Sequence, residues 1–468
     1  MLILFGFSLA IPILTSYIYQ DNNIHTFFNS FIIFIIFGSI LYFPNRNSNN
    51  DIRTKEAFLI VVLFWFVLSI FGAIPFMLDK DLSLSFSSAF FESVSGWTTT
   101  GATIMTAIDE LSPSLLIYRQ LLQWLGGMGI VILALAILPM LGVGGMQLYR
   151  IESTGPIKDT KISPRIAETA KNLWFVYLGL TALCALSYYF AGMNFFDAVG
   201  HSFSTIAIGG FSTHSDSIGF FNSPSIEVIC MIFMILSAMN FVLHFIFLKE
   251  KNLGAYTEDK ELMTYIKIII FFVLTLSIFL LLTNDNFTTL RHISFQVISF
   301  ITTSGFTSTG YSLWPSFVLS ILILISFIGA CTGSTGGGIK VMRIMLLQKL
   351  IRKELLKIIH PSAEVSIKLK EKTISDDILS TVWNFFILYI LLFFIISLAL
   401  LATGLDPTTA FSAVASCINN LGPALGSVYD NYSSMNDFSK YLLSFTMLLG
   451  RLEIFTLLIV LTPYFWKY

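Results

Sequence analysis

Long apolar runs that exclude charged residues alternate with polar segments along the chain. An α-helix rises 1.5 Å per residue, so about 20 apolar residues are needed to cross the hydrocarbon core of a bilayer. Ten runs approach or reach this length, one with an interruption, and predict an all-α polytopic membrane protein with about ten transmembrane helices. The predicted spans are residues 2–18, 28–43, 57–77, 121–141, 173–193, 226–248, 268–283, 317–347, 379–403 and 441–466.

Basic residues are concentrated in alternate loops between these spans. With ten spans, five segments face the same side as the N-terminus, and they hold 22 of the 27 Lys and Arg residues. Because cytoplasmic loops carry the excess of basic residues, both termini are predicted to be cytoplasmic. The five segments are residues 46–55, 144–171, 249–267, 340–372 and the C-terminal tail.

The composition excludes several classes of function. The chain is 55% hydrophobic and 12% charged, whereas an ordinary soluble domain carries about 25% charged residues, so a soluble enzyme is excluded. A net charge of -1 gives no reason to expect a nucleic-acid partner. No Gly-x-Ser-x-Gly, His-Glu-x-x-His or paired-aspartate motif lies within a span, and the sequence therefore predicts no enzyme activity.

A second pattern recurs four times on the opposite side of the predicted membrane. Four segments between successive spans are too long for tight turns and too short or polar to cross, and they cover residues 83–101, 195–210, 287–305 and 406–422. Each ends in a small, polar run at a glycine, with a serine six positions earlier. The glycines are Gly101, Gly210, Gly305 and Gly422, and the serines are Ser95, Ser204, Ser299 and Ser416. The pattern predicts four copies of one structural unit.

Each copy is predicted to enter the membrane without crossing it. A helix of about 12 residues reaches only about 18 Å, and non-helical backbone at membrane depth must be buried in protein or line a watery cavity. Four units of helix, re-entrant pore loop and helix are therefore expected around a central pore, preceded by two extra helices. The predicted divisions are 1–55 for the extra helices and 56–150, 151–255, 256–372 and 373–468 for repeats 1 to 4.

The repeated glycines predict a cation site on the shared axis. Glycine adopts positive φ without a Cβ clash, so the chain after each short helix can turn carbonyl oxygens toward the pore. The helix C-termini, each with about half a negative charge, also favour a cation. The predicted selectivity-filter and cation-binding residues are Thr99, Thr100, Gly101, Ile208, Gly209, Gly210, Thr303, Ser304, Gly305, Asn420, Leu421 and Gly422.

The eighth span is interrupted by the glycine-rich loop, residues 329–338. This segment contains five glycines, each of which costs about 1 kcal/mol inside a helix, so it is predicted to be unwound. A nucleotide-binding loop would need Gly-Lys-Ser/Thr after a strand. Because Ile339 separates Gly338 from Lys340 between membrane spans, the chain itself is predicted to bind no nucleotide.

Several charged or titratable residues are predicted at membrane depth. Arg451 lies within the last span, where a central arginine costs about 2.5–3.5 kcal/mol and should face a polar interior. One alternative is a salt bridge to Glu92 or Glu453, although Glu453 points elsewhere on the helix. Glu92 and Arg119 can pair with each other or with other repeats, and His201 at the Glu92 position of repeat 2 either packs or titrates.

Five motifs occur at residues 91–101 (FESVSGWTTTG), 123–129 (QWLGGMG), 209–214 (GGFSTH), 333–340 (GSTGGGIK) and 420–423 (NLGP). They resemble those of the superfamily of K⁺ transporters that includes the Trk, Ktr and HKT proteins, and the two extra N-terminal spans make the chain most similar to the bacterial TrkH-type membrane subunits. The resemblance implies K⁺ uptake through a single-chain pseudo-tetrameric pore in the bacterial inner membrane, in contact with membrane lipid, with K⁺ bound at the filter residues. It also implies a homodimer above cytoplasmic nucleotide-binding TrkA-type subunits, and it places Arg451 by the pore near the glycine-rich loop, where its charge sets a barrier to cations.

The same resemblance implies an intramembrane gate and a K⁺ preference. Relatives with serine at the first filter position tend to pass Na⁺, and this chain has Gly101 there. Channel-like uptake and K⁺ symport coupled to Na⁺ or H⁺ both remain open at this point. The implied gate residues are Gly333, Ser334, Thr335, Gly336, Gly337, Gly338, Lys340 and Arg451.

Overall fold

The computed structural model describes residues 1–46, 54–132, 163–283, 289–362, 365–369 and 372–467. The C-terminal part of the predicted span 121–141 and most of the basic segment 144–171 lie outside these residues. The regular secondary structure of the described residues is almost entirely helical, which confirms the predicted all-α class. The exception is a two-residue antiparallel hairpin of Lys368–Leu369 with Lys372–Thr373.

Two N-terminal helical segments precede four units of similar construction. The first segment consists of Leu2–Ser8 with Ala10–Tyr19, and the second is Ile24–Tyr42. The long helices that open the units are Thr54–Leu78, Ser163–Phe190, Lys260–Leu282 and Asp376–Leu401. The short helices that follow, numbered 1 to 4 below, are Phe86–Trp97, Phe195–Ala207, Leu290–Thr302 and Pro407–Asn419.

The second long helix of each unit differs more between units. These helices are Pro113–Ile132 in unit 1, Pro224–Ala238 with Phe241–Glu250 in unit 2, Ser316–Ser326 with Val341–Ile359 in unit 3, and Asp437–Arg451 with Phe455–Leu461 in unit 4. Two shorter helices, Gly254–Thr257 and Pro463–Lys467, complete the set of α-helices in the described ranges.

The helices have the dimensions of a membrane protein. Six helical segments within the described ranges are long and apolar enough to cross a bilayer, and two further pairs would pass as one span each but for a sharp bend. Two predicted spans remain. Span 121–141 is described only as far as Ile132, and span 317–347 contains the glycine-rich loop. The multi-pass architecture is thereby confirmed.

The sixth and tenth predicted spans are single apolar runs in the sequence, but in the structure each is a pair of helices with a sharp bend between them. The sixth bends by 94° between Ala238 and Phe241, and the tenth by 117° after Arg451. At the first break, Asn240 caps the new helix by accepting a hydrogen bond from the Val242 amide at 3.0 Å. The freed carbonyl of Ala238 accepts instead from the amide of Cys331, which lies within the glycine-rich loop, at 3.0 Å. A tertiary contact therefore compensates for the lost helical hydrogen bonds.

The four short helices are arranged in a closed ring. Each packs against both long helices of its own unit and against the second long helix of the preceding unit. Short helix 1 follows the same rule, because it packs against Asp437–Arg451 of unit 4. This cyclic packing brings the C-terminal ends of the short helices toward one axis.

Candidate ion site and gate

The short helices begin in the same way. A side chain at the N-cap position accepts a hydrogen bond from a backbone amide three residues later, at distances between 2.8 and 3.5 Å. Such caps satisfy amides that have no partner within the helix. The four capping residues are Ser85, Asn194, Thr289 and Asp406.

The short helices also end in the same way. The residue two positions before each of the four repeated glycines adopts left-handed backbone geometry, and its successor donates an amide hydrogen bond of 2.8–2.9 Å to the carbonyl of the repeated serine. This is the hydrogen bond of a Schellman helix end. The left-handed residues are Thr99, Ile208, Thr303 and Asn420, with φ of 55°, 55°, 65° and 54°. Left-handed geometry is strained for a β-branched residue such as Ile208, and strain of this kind is typical of functional sites.

The structure brings the four glycines together. A methyl group placed on Gly101 would lie 2.1 Å from the carbonyl oxygen of Gly209, just before the glycine of the next unit. The same relation holds from Gly210 to Ser304, from Gly305 to Leu421 and from Gly422 back to Thr100, at 2.2, 2.1 and 2.6 Å. Four loops that each contact the next close a ring. No side chain fits at these positions without displacing a neighbouring backbone.

The ring contains buried carbonyl groups without partners. Thr99, Ile208, Thr303 and Asn420 are each at most 2% exposed, and within the described ranges none of their carbonyl oxygens accepts a hydrogen bond. Buried carbonyls are nearly always paired, so four unpaired ones at equivalent positions call for a ligand. A dehydrated cation is the ligand that carbonyl oxygens suit.

A buried ion pair braces unit 1 behind the ring. Arg119 Nε donates to Glu92 Oε1 at 2.8 Å, and both side chains are fully buried. Glu92 also accepts from the Ile104 amide at 2.9 Å, and the Arg119 guanidinium lies 4.2 Å from the Phe211 ring centroid. His201 packs at the corresponding position of unit 2, where Nε2 contacts Ser212 Oγ at 2.9 Å. These contacts favour the structural roles for Glu92, Arg119 and His201.

Gln123 is a bracing residue to which the sequence pattern assigned no role. Its Nε2 donates to the Gly209 carbonyl at 2.6 Å, and its Oε1 accepts from the Phe211 amide at 3.1 Å. One side chain of unit 1 therefore holds the backbone on both sides of Gly210. Unit 4 has a different brace, since Tyr432 Oη donates to the Gly422 carbonyl at 3.0 Å.

One face of the ring opens into a vestibule of about 700 Å³, lined by all four glycines. Asp216 and Asp430 line the same cavity. Carboxylates at the mouth of a pore raise the local concentration of cations. The vestibule can therefore supply cations to the ring.

His214 joins two units at the rim of the vestibule. Its ring contacts Asp109 of unit 1 at 2.8 Å and Asp197 of unit 2 at 3.2 Å, and it stacks on Phe220. Burial alone would lower the pKa of His214, but hydrogen bonds and attraction from the two carboxylates raise that pKa above its ordinary value. The charged imidazolium is thus favoured in the folded protein.

This raised pKa predicts a pH dependence of stability. The contribution of His214 is fully present below the ordinary histidine pKa of about 6.5 and is lost as pH rises through the raised value. Because the group is partly exposed, we expect less than about 1 kcal/mol. Thermal unfolding of the purified protein between pH 6 and pH 9 should show a decline that His214→Gln abolishes. A decline of equal size in the variant would assign the pH dependence to other groups.

The glycine-rich loop lies against the C-terminal ends of short helices 2, 3 and 4. Thr335 Oγ1 donates to the carbonyl of Ile206 at 3.1 Å, and the Gly337 amide donates to Thr303 Oγ1 at 2.7 Å. A methyl group on Gly337 would lie 2.0 Å from the Asn419 carbonyl oxygen. The loop therefore occupies the space next to the ring on the side away from the vestibule, and glycine is required for this approach.

Arg451, next to the glycine-rich loop, is held by backbone carbonyls and not by a salt bridge. Arg451 donates to the carbonyls of Thr335 and Gly126 at 2.9 and 3.2 Å, and no carboxylate of the described residues lies within 4.0 Å. Glu453 pairs with Arg343 at 2.6 Å instead. The salt-bridge alternative for Arg451 was wrong, because the break after this residue turns Glu453 toward another helix.

Lys340 also contacts the glycine-rich loop. It follows the loop with φ of 81°, and its ammonium donates to the carbonyl of Gly336. Ser334 closes a turn within the loop by donating to the Cys331 carbonyl at 2.6 Å. The predicted gate residues therefore lie close together. All of them except Thr335 line one small cavity, and the Thr335 carbonyl accepts a hydrogen bond from Arg451.

Three comparisons with known proteins agree. A family model described as a cation transport protein, TrkH, matches residues 23–468. The Trk system potassium uptake proteins TrkH of Salmonella typhimurium and Escherichia coli K12 are each 49% identical over the whole chain and 97% of their own length. The crystal structure of the potassium transporter TrkH from Vibrio parahaemolyticus superposes with a TM-score of 0.93 at 44% identity, and the match covers 100% of this chain and 97% of that one.

Proposed function

The chain belongs to the TrkH family of cation transport proteins, a family of transporters rather than enzymes, and from this premise we propose that it takes up K⁺ through the ring of glycine loops. Relatives at 49% identity over full length are named as potassium uptake proteins. The proposed filter consists of the twelve ring residues named from the sequence. K⁺ is the transported ion, and the filter residues bind it transiently during transport.

The observation that carries this proposal is the set of four unpaired carbonyls at Thr99, Ile208, Thr303 and Asn420. Carbonyl oxygens replace the hydration shell of an alkali cation without an ionised side chain. The neighbouring short-helix ends add partial negative charge. An anion would instead require basic residues or helix N-termini at the ring.

We assign the gate to the glycine-rich loop together with Lys340 and Arg451. The loop lies against three short-helix ends, and Arg451 holds it through the Thr335 carbonyl. Conduction then requires the loop to withdraw. Glycines permit the backbone change that such a movement needs.

The wider assignments rest on family membership and charge pattern. We propose a multi-pass protein of the bacterial inner membrane with cytoplasmic termini, divided into repeats at the boundaries predicted above. A homodimer with cytoplasmic TrkA-type nucleotide-binding subunits would suit a Trk system, with regulation supplied by those subunits. Membrane lipid surrounds the helices, and no nucleic acid or nucleotide binds this chain.

The decisive experiment is flux in liposomes. A membrane potential supplies about 2.3 kcal/mol per charge per 100 mV, enough to drive K⁺ accumulation without a coupled ion. Purified protein should take up K⁺ or Rb⁺ under voltage alone. Flux that requires a Na⁺ or H⁺ gradient would favour the alternative, K⁺ symport, and reject the channel-like mechanism.

A further inference from the structure

Glu261 lies outside the ring, near the start of helix Lys260–Leu282. It contacts both ends of the loop segment, residues 332–342, which carries the last four glycines of the glycine-rich loop. Its side chain is 1% exposed. One carboxylate oxygen, Oε1, accepts from the Thr332 amide at 2.7 Å, the Thr332 hydroxyl at 3.1 Å and the Met342 amide at 3.1 Å. A single oxygen therefore joins chain positions 332 and 342.

The partners of Glu261 explain why this position carries a carboxylate. Met342 is the second residue of helix Val341–Ile359, whose first amides lack partners within the helix and attract negative charge. The N-terminus of the helix that contains Glu261 is capped separately, by Asp259, which accepts from the Leu262 amide at 2.8 Å. Within the described residues, the hydrogen bonds of the Glu261 side chain thus all go to the two ends of the loop segment.

The two ends and the middle of this segment have different surroundings. The middle contacts the ring through Thr335 and Gly337, where the proposed function requires movement. The ends meet at Glu261, on a long helix that spans the membrane. Because Glu261 holds the two ends of the loop segment close together, the residues between them form a bulge, and the middle of this bulge contacts the ring.

We propose that Glu261 is a positioning residue for gating: it clamps the ends of the loop segment together and so keeps the loop's middle beneath the ring. This inference rests on the proposed function, because it requires the loop to be the gate. Without the clamp, Val341–Ile359 can shift away from Thr332, and Gly337 withdraws from Asn419. The closed arrangement is then less favoured.

The test is voltage-driven Rb⁺ flux by the full-length protein in liposomes without regulatory subunits. Glu261→Ala removes the acceptor and should raise unstimulated flux about tenfold, as expected when charge-assisted hydrogen bonds are lost from one of two states. Glu261→Gln keeps an oxygen acceptor and should raise flux less. The matched control is Glu258→Ala, an exposed glutamate three residues earlier, which should behave as wild type.

Single-channel recording separates positioning from a general structural role. Glu261→Ala should lengthen open times while the unitary conductance and the K⁺/Na⁺ permeability ratio stay unchanged, because the ring is intact. A lower conductance or altered ratio would overturn the assignment.

Thr332→Val provides a second variant that keeps the buried carboxylate. It removes one of the three donors and should raise flux in the same direction, by less than Glu261→Ala. Unchanged flux in this variant and in Glu261→Gln, with a conducting wild type, would overturn the clamp. Absence of voltage-driven flux in the wild type would overturn the proposed function and, with it, this inference.

Discussion

Gly101→Ser is expected to reduce K⁺ over Na⁺ selectivity about tenfold and to lower K⁺ flux. The new Cβ would lie 2.1 Å from the Gly209 carbonyl oxygen at a backbone φ of 82°, so the neighbouring loop must move. We expect displacement of this filter carbonyl to remove about 1.4 kcal/mol of the discrimination between the two ions, which corresponds to tenfold. Reversal potentials measured in mixed K⁺ and Na⁺ give the permeability ratio directly.

Gly404→Ser is the matched control for backbone strain. Gly404 has a similar φ of 92°, but no heavy atom lies within 4 Å of a Cβ placed there. This variant should keep the wild-type permeability ratio while carrying comparable local strain. An unchanged ratio in Gly101→Ser, or an equal loss in both variants, would count against the filter assignment.

Arg451→Gln is expected to raise voltage-driven K⁺ flux by tenfold or more. The guanidinium is 3% exposed and holds the glycine-rich loop through the Thr335 carbonyl. A unit charge about 4 Å from a cation costs that cation about 4 kcal/mol at an effective dielectric constant near 20. Loss of about a third of this barrier already gives about a tenfold increase in rate. Rb⁺ uptake into liposomes at fixed potential measures the effect.

Arg451→Lys distinguishes charge from hydrogen bonding. Lysine keeps the positive charge but cannot reproduce both contacts to Thr335 and Gly126. If charge forms the barrier, flux in this variant stays close to wild type. A similar increase in both variants would instead assign the barrier to the hydrogen bonds, and no increase in folded Arg451→Gln would remove Arg451 from the gate.

Much of the fold could be predicted because its main signals are local. Membrane spans follow from apolar length, and the repeated units follow from the spacing of Gly101 and its three counterparts. The glycines came together as a ring because one unit repeated four times packs cyclically. The repeated serines correctly located the ends of the short helices. The hydrogen bond that recurs there is accepted by the serine backbone carbonyl and not by the serine side chain.

The features that could not be predicted depend on contacts between distant segments. The bend after Ala238 requires the Cys331 amide as a substitute donor, and the chain positions involved are far apart. Gln123 acts through backbone groups of the next unit, and Glu261 acts through backbone groups that lie 71 and 81 residues away in its own unit; neither contact has a sequence signature. The resemblance placed Arg451 near the gate, but the turn at Glu453 was needed to show that no carboxylate of the described residues pairs with it.

The unequal braces of the ring have an evolutionary consequence. Gln123 of unit 1 supports the backbone next to Gly210 of unit 2, whereas Tyr432 supports Gly422 from within unit 4 itself. A pore assembled from identical subunits must accept every mutation on all sides at once. In this single chain, one substitution changes the support of one glycine loop and leaves the other three loops unchanged. Ion selectivity can therefore be adjusted in small steps.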